Sequence, residues 1–269
     1  MLSQRAAPPE ALEPAAPACV EGLESRALMS VSLEQGVLTI IGTDGNDRIT
    51  VGIARRAPAQ FEQAAWRGRW RAERASARYF EVMLNGKVRR FPPGSVRSIV
   101  IDAGAGDDVV SLAGDTEFRR FVYLRMLTYS GRVAPVNVDA VVHGGDGADF
   151  VIGGSGFDRL YGEGGDDRII GLGGFNTLDG GEGNDHLGDA CWDHGSSTLL
   201  GGPGDDVLVG HHDAFVAHDP PFSRRAQFVL HSLFGGPGND QFQAVASEVR
   251  DLEPGESVTP AGCVILRVR

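Results

Sequence analysis

The sequence predicts an all-β chain made by stacking a short repeated unit, and three observations carry that expectation. Residues 144 to 188 divide without remainder into five nonapeptides: GGDGADFVI, GGSGFDRLY, GEGGDDRII, GLGGFNTLD and GGEGNDHLG. A fixed period decides architecture before local propensity does. The chain holds 38 glycines but only 4 tyrosines, the composition of a turn-rich fold with a thin core. Outside the repeats, short apolar runs are punctuated by turn signals such as Asn85-Gly86, as in strand-and-turn structure.

Each position of the unit has a physical reason. Glycines at the first, second or fourth places permit tight turns with positive φ, which let carbonyl oxygens point into the loop. An acidic or amide residue at the sixth place adds the hard oxygen that Ca²⁺ prefers. The next three residues make a strand of about 10 Å, with the eighth side chain turned inward. Those eighth residues are Val151, Leu160, Ile169, Leu178 and Leu187, a register that a flexible Gly/Asp linker does not keep. The pattern GGxGxDxUx resembles the repeat of the RTX, or haemolysin-type, calcium-binding family, directly over 45 residues and in isolated copies elsewhere. The resemblance implies a parallel β-roll, the RTX nonapeptide solenoid. Two units form one coil, units alternate between two sheets, and each ion lies between loops one coil apart, held by carboxylate and carbonyl oxygens of both.

In chain order, residues 1–29 are Ala, Pro and Glu rich at the start and read as a disordered segment. Leu23 to Ser30, LESRALMS, resembles the N-terminal element of planctomycete-type surface and secreted proteins, which implies export although no clear signal peptide precedes it. Residues 30–134 read as a β-rich lead-in. Gly42 to Thr50, GTDGNDRIT, is an isolated repeat copy joining a strand at Val37–Ile41 to one at Ile49–Ile53. The stretch 54–78 is an insertion with seven arginines, two glutamates, and Trp66 and Trp70. It is expected to be a solvated segment, with contact to nucleic acid or an anionic surface as the alternative. Tyr79–Leu84 and Lys87–Phe91 flank the Asn85-Gly86 hairpin turn. Ser98–Ile101 runs into AGAGDDVVS, a further copy with Asp108 sixth, and Phe118–Thr128 is expected to be a strand pair.

The roll is expected over 135–243. Counting backward from GGPGDDVLV at Gly201 and GGPGNDQFQ at Gly235 recovers two decayed units, Trp192–Leu200 and Ala226–Phe234. Residues 189–191 and 210–225 are left as insertions, and 244–269 as a C-terminal capping strand segment. Assigning alternate units to opposite edges separates the sixth residues by chemistry. One edge holds Asp149, Asp167, Asp185, Asp206 and Asp240; the other holds Asp158, Asn176, Ser197 and His231.

By the family resemblance, the first edge carries a single-file ladder of up to four Ca²⁺ ions and the second at most one weak site at Asp158 and Asn176. The loop glycines implied beside the carboxylates are Gly144, Gly145, Gly147, Gly162, Gly164, Gly165, Gly180, Gly181, Gly183, Gly201, Gly202, Gly204, Gly235, Gly236 and Gly238. Stacked aspartates repel one another until neutralised, so metal binding is expected to be coupled to folding.

Composition limits the remaining possibilities. A formal charge of -11 and a pI near 5.1 argue against nucleic-acid binding and point to cations as partners. No apolar run of membrane-spanning length occurs. Cys19, Cys191 and Cys263 show no metal or disulfide framework, and no nucleophile elbow or Walker loop is present. His194, His211, His212 and His218 lie in or beside the insertions without a short-spaced ligand motif. The expected function is calcium binding by a non-enzymatic module, extracellular or at the cell surface, with no catalytic residue. The alternatives are an adhesin for an unknown cell-surface or polysaccharide ligand and a relative of a secreted hydrolase with a His-rich metal site.

Overall fold

The computed structural model describes residues 29–54, 79–92, 94–114, 133–189, 196–210, 231–244 and 249–260. Strand β1 (Ser30–Glu34) and β2 (Val37–Thr43) form an antiparallel hairpin about Gln35-Gly36. β3 (Arg48–Ala54) crosses to a second sheet, where β4 (Tyr79–Leu84) joins it antiparallel and folds back into β5 (Lys87–Phe91). The turn is Asn85-Gly86 with φ of 48° and 77°, the conformation those residues tolerate best.

From here the chain alternates between sheets. β6 (Ser98–Ala105) lies in the first, β7 (Val109–Ser111) in the second, and the short β8 (Val133–Ala134) pairs with β3. β9 (Asp139–Asp146), β11 (Arg159–Gly164), β13 (Thr177–Glu182), β15 (Thr198–Leu200) and β17 (Ser232–Phe234) extend the first sheet. β10 (Phe150–Ile152), β12 (Arg168–Gly171), β14 (His186–Asp189), β16 (Val207–Val209), β18 (Gln241–Ala244) and β19 (Ser257–Pro260) extend the second. The first sheet runs β1-β2-β6-β9-β11-β13-β15-β17, and the second β19-β18-β16-β14-β12-β10-β7-β3-β4-β5. All neighbours from β2 to β17 and from β3 through β7 to β19 are parallel, so the described strands form a succession of coils, an all-β parallel roll.

The core is a double file of side chains between the sheets. Every eighth residue of the roll is inside: Val151, Leu160, Ile169, Leu178, Leu187, Leu199, Leu208 and Leu233 at 0% exposure, and Phe242 at 1%. Each such burial is worth about 1.5–3 kcal/mol. The decayed units recovered by backward counting thus hold their register, with Leu199 stacked between Leu178 and Leu233. The same files continue upward through Ile40, Ile101 and Val142 on one side and Ile49 and Val110 on the other. Neither sheet breaks near residue 134, where the sequence reading divides lead-in from roll.

Most of residues 1–29, the insertion at 54–78 beyond Ala54, Phe118–Thr128, the greater part of both later insertions, all three cysteines and the four insertion histidines lie outside the described residues. Among the described residues no helix is long and apolar enough to cross a membrane.

Candidate metal centre

The loops that carry the chain from the first sheet to the second all lie along one edge, each six residues long and ending in the sixth-position carboxylate. Gly145 and Gly147 show how the sequence shapes them, with φ of 110° and 130° that side-chain-bearing residues rarely adopt. Glu163 occupies such a place at φ 79°, and its carboxylate lies 2.6 Å from His143 Nδ1 of the previous coil.

The sixth residues form one continuous row: Asp47, Asp108, Asp149, Asp167, Asp185, Asp206 and Asp240, all 3% exposed or less. Each backbone N–H from Asp47 to Asp206 donates to Oδ1 of the next carboxylate in the row, at 2.6–2.9 Å. The other oxygen, Oδ2, of Asp108, Asp149, Asp167, Asp185, Asp206 and Asp240 is buried with no hydrogen-bond partner. Six orphaned carboxylate oxygens in file are costly unless a cation or a proton meets them. Their surroundings are also oxygen-rich. A Cβ on Gly144, Gly162, Gly180 or Gly201 would collide both with its own loop's Oδ2 and with the first-position carbonyl oxygen of the next coil. Carboxylate and carbonyl oxygens of successive coils therefore converge on one point, a donor set suited to a hard divalent cation.

Electrostatics agree with that reading. Loss of water raises the carboxyls from 3.8 to about 7 for Asp108, Asp167 and Asp206, and to about 6 for Asp149, Asp185 and Asp240. Neighbouring acidic groups raise them further, while the N–H that each carboxylate accepts acts in the opposite direction. Among the described residues no three His, Cys, Asp or Glu side chains converge as a metal cluster, and what meets at Gly144, Gly162, Gly180 and Gly201 is one carboxylate oxygen and one carbonyl oxygen.

Asp47 differs from the rest of its row. Its Oδ2 accepts the Thr43 N–H and its Oδ1 accepts the Asn85 Nδ2, so the hairpin turn caps the upper end of the row with an amide.

The opposite edge has the same register and a different chemistry. Ala140, Asp158, Asn176 and Ser197 donate their backbone N–H to Asp158 Oδ1, Asn176 Oδ1, Ser197 Oγ and His231 Nδ1 respectively, each at 3.1 Å. Asp158 spends its second oxygen on the Gly154 N–H at 2.7 Å, and Asn176 turns its Nδ2 to the Gly173 carbonyl. His231 is fully buried and accepts at Nδ1, which places the proton of a neutral ring on Nε2.

A third row was not foreseen from the sequence. On the outside of the first edge, fifth-position side chains Asn46, Asp107, Asn184 and Asp205 accept N–H groups from one coil below, at 2.9–3.1 Å, as does Asp166 at 2.8 Å. Its hydrogen bonds run opposite to the inner row, and Ala148 interrupts it.

Rung spacing along the first edge is 61, 41, 18, 18, 21 and 34 residues. Every excess over 18 enters between a second-sheet strand and the next first-sheet strand, at the opposite edge. The expected insertions at 189–191 and 210–225 follow this rule, and so do the two longer ones above them.

The fold and this edge define a class: a parallel β-solenoid with a file of cation-ready carboxylates along one side. The model of the RTX calcium-binding nonapeptide repeat matches four copies in the chain, at residues 39–53, 143–178, 161–187 and 195–214. The chain thus carries RTX calcium-binding repeats. No curated protein and no solved structure matches it.

Proposed function

We propose that the chain binds a row of Ca²⁺ ions along the first edge and completes its fold in doing so. The observation that supports this most directly is the file of six buried Oδ2 atoms without partners, four of which, those of Asp149, Asp167, Asp185 and Asp206, lie beside a glycine carbonyl of the next coil. Asp108, Asp149, Asp167, Asp185, Asp206 and Asp240 would hold the ions, together with carbonyls of the loops that begin at Gly144, Gly162, Gly180, Gly201 and Gly235. A bound divalent cation supplies the positive charge and the oxygen coordination these groups lack.

The chain's own residues do the rest: the N–H to Oδ1 bonds set the coil spacing, and the eighth-position side chains exclude water. Asp158, both of whose oxygens are occupied by backbone donors, is assigned a structural role rather than a metal site, as is Asp47.

Carboxylates this close disfavour the closed roll when charged, so occupancy and folding are coupled. Extracellular calcium modules work at about 10⁻⁴–10⁻³ M, which suits a non-enzymatic module that is loose in the cytosol and compact outside the cell or on its surface.

Far-UV circular dichroism and calcium calorimetry on the full chain test the reading. Millimolar calcium should induce β-structure, Asp167→Asn with Asp185→Asn should remove most of that response, and Asp158→Asn should leave it. A chain that is fully folded in chelator and takes up no calcium would overturn the proposal.

A further inference from the structure

Beyond the last glycine-rich loop, the chain makes one more turn of the roll that its sequence conceals. β19 pairs parallel with β18 in the register Gln241↔Ser257 and Phe242↔Val258. This register sets Asp251–Thr259, DLEPGESVT, under Gly235–Gln243 as a further nonapeptide, with Glu256 sixth and Val258 eighth. All three of the loop's motif glycines are replaced, by Asp251, Leu252 and Pro254, and the repeat matches end at residue 214.

Loop contacts follow the register. Gly235 and Gly236 donate their N–H groups to Asp251 Oδ1 and Oδ2, where Gly201 and Gly202 of the coil above use the Phe234 and Gly235 carbonyls. Asp251 is thereby occupied. Asp240 is 1% exposed, and its Oδ1 takes the Asp206 N–H while its Oδ2 has no partner. The group set against it is the carboxylate of Glu256, whose Oε2 accepts the Glu253 N–H and whose Oε1 is buried without a partner. Two acceptors facing each other with no donor between them need a cation or a shared proton.

We propose that Asp240 and Glu256 form a terminal divalent-cation site, one beyond the glycine-loop sites above. It rests on the reading of the first edge as calcium-binding. It differs from the upper rungs in its surroundings: the three atoms nearest a Cβ on Gly235 all belong to Asp240, where Gly144, Gly162, Gly180 and Gly201 each meet a carbonyl oxygen of the following loop. A longer carboxylate, that of Glu256, is set against Asp240, and the lower end of the row is acidic where its upper end is capped by the Asn85 amide.

Native mass spectrometry of the full chain, titrated with calcium alone, counts the ions directly. Glu256→Gln should lower the maximum count by one and leave the other ions in place. An unchanged count would overturn the site. If Glu256→Gln instead loses every ion and fails to fold by circular dichroism, Glu256→Asp decides: return of fold and full count supports the site, and anything less overturns it. A wild-type chain that binds no calcium would remove the underlying reading, an outcome distinct from any change at Glu256.

Discussion

The two edges of the roll descend from the same nonapeptide and pass the same hydrogen bond from coil to coil, yet they treat the sixth side chain differently. On the first edge, from Asp108 to Asp240, one carboxylate oxygen accepts a backbone N–H at 2.6–2.9 Å and the other is buried without a partner. On the second, Asp158, Asn176, Ser197 and His231 take the N–H at 3.1 Å, and Asp158 closes its spare oxygen internally. What the spine of a solenoid needs is an acceptor at each rung, and an amide, a hydroxyl or an imidazole suffices. What the carboxylate adds is the second oxygen. The edge that keeps it keeps loops of constant length, while the edge that gave it up takes in every insertion.

This contrast can be broken in several ways. Gly162→Ala places a methyl against Asp167 Oδ2 and the Gly180 carbonyl, the point where donors converge. It should cost about 3 kcal/mol, the upper end of overpacking penalties, and should lower calcium stoichiometry. Urea titration in chelator and in calcium would check it; equal stability to wild type in both would show that the point is not confined.

Next comes pH. The first-edge carboxyls have folded-state values raised to about 6–7 by desolvation, above 3.8. A raised value means the stabilising contribution is complete below about pH 4 and is lost as pH climbs through 6–7. The metal-free roll should therefore melt higher at pH 5 than at pH 8, and added calcium should raise the melting temperature far more at pH 8. Equal calcium shifts at the two pH values would argue against a shared proton and cation position.

Ser197→Ala removes the acceptor for the buried Asn176 N–H and should cost about 1–3 kcal/mol without moving the calcium midpoint. A shifted midpoint would mean that the edges are not independent. The smallest effect is expected at Gly164→Ala, whose Cβ meets only Asp146 Oδ1 at 3.6 Å, within about 0.5 kcal/mol of wild type.

Where period and composition agree, the sequence was a good guide. The eighth positions, the Asn85-Gly86 hairpin and the two decayed units are visible in it, because each depends on local pattern or constant spacing. The row through Asp47 and Asp108 was quoted there as isolated repeat copies, since 43 and 23 extra residues separate them from the regular spacing of 18. Strand pairing, of β2 with β6 and β6 with β9 in one sheet and of β3 with β7 and β7 with β10 in the other, brings these aspartates into line. Glu256 was hidden because Asp251, Leu252 and Pro254 stand where the motif has glycine, so sixth place is assigned only by the register of β19 with β18. The fate of Asp158 was illegible for a simpler reason: a carboxylate's second oxygen is committed by the turn of a loop, here the N–H of Gly154.

The unequal spacing of the rungs also orders events in time. Bringing together residues 61 apart costs about 1.1 kcal/mol more loop-closure entropy than bringing together residues 18 apart. The rungs joining Asp149, Asp167 and Asp185 are the cheapest to close. A chain that assembles rung by rung starts at these central coils and zips outward, and the coil of Asp47, with the longest excursion below it, is among the last to dock.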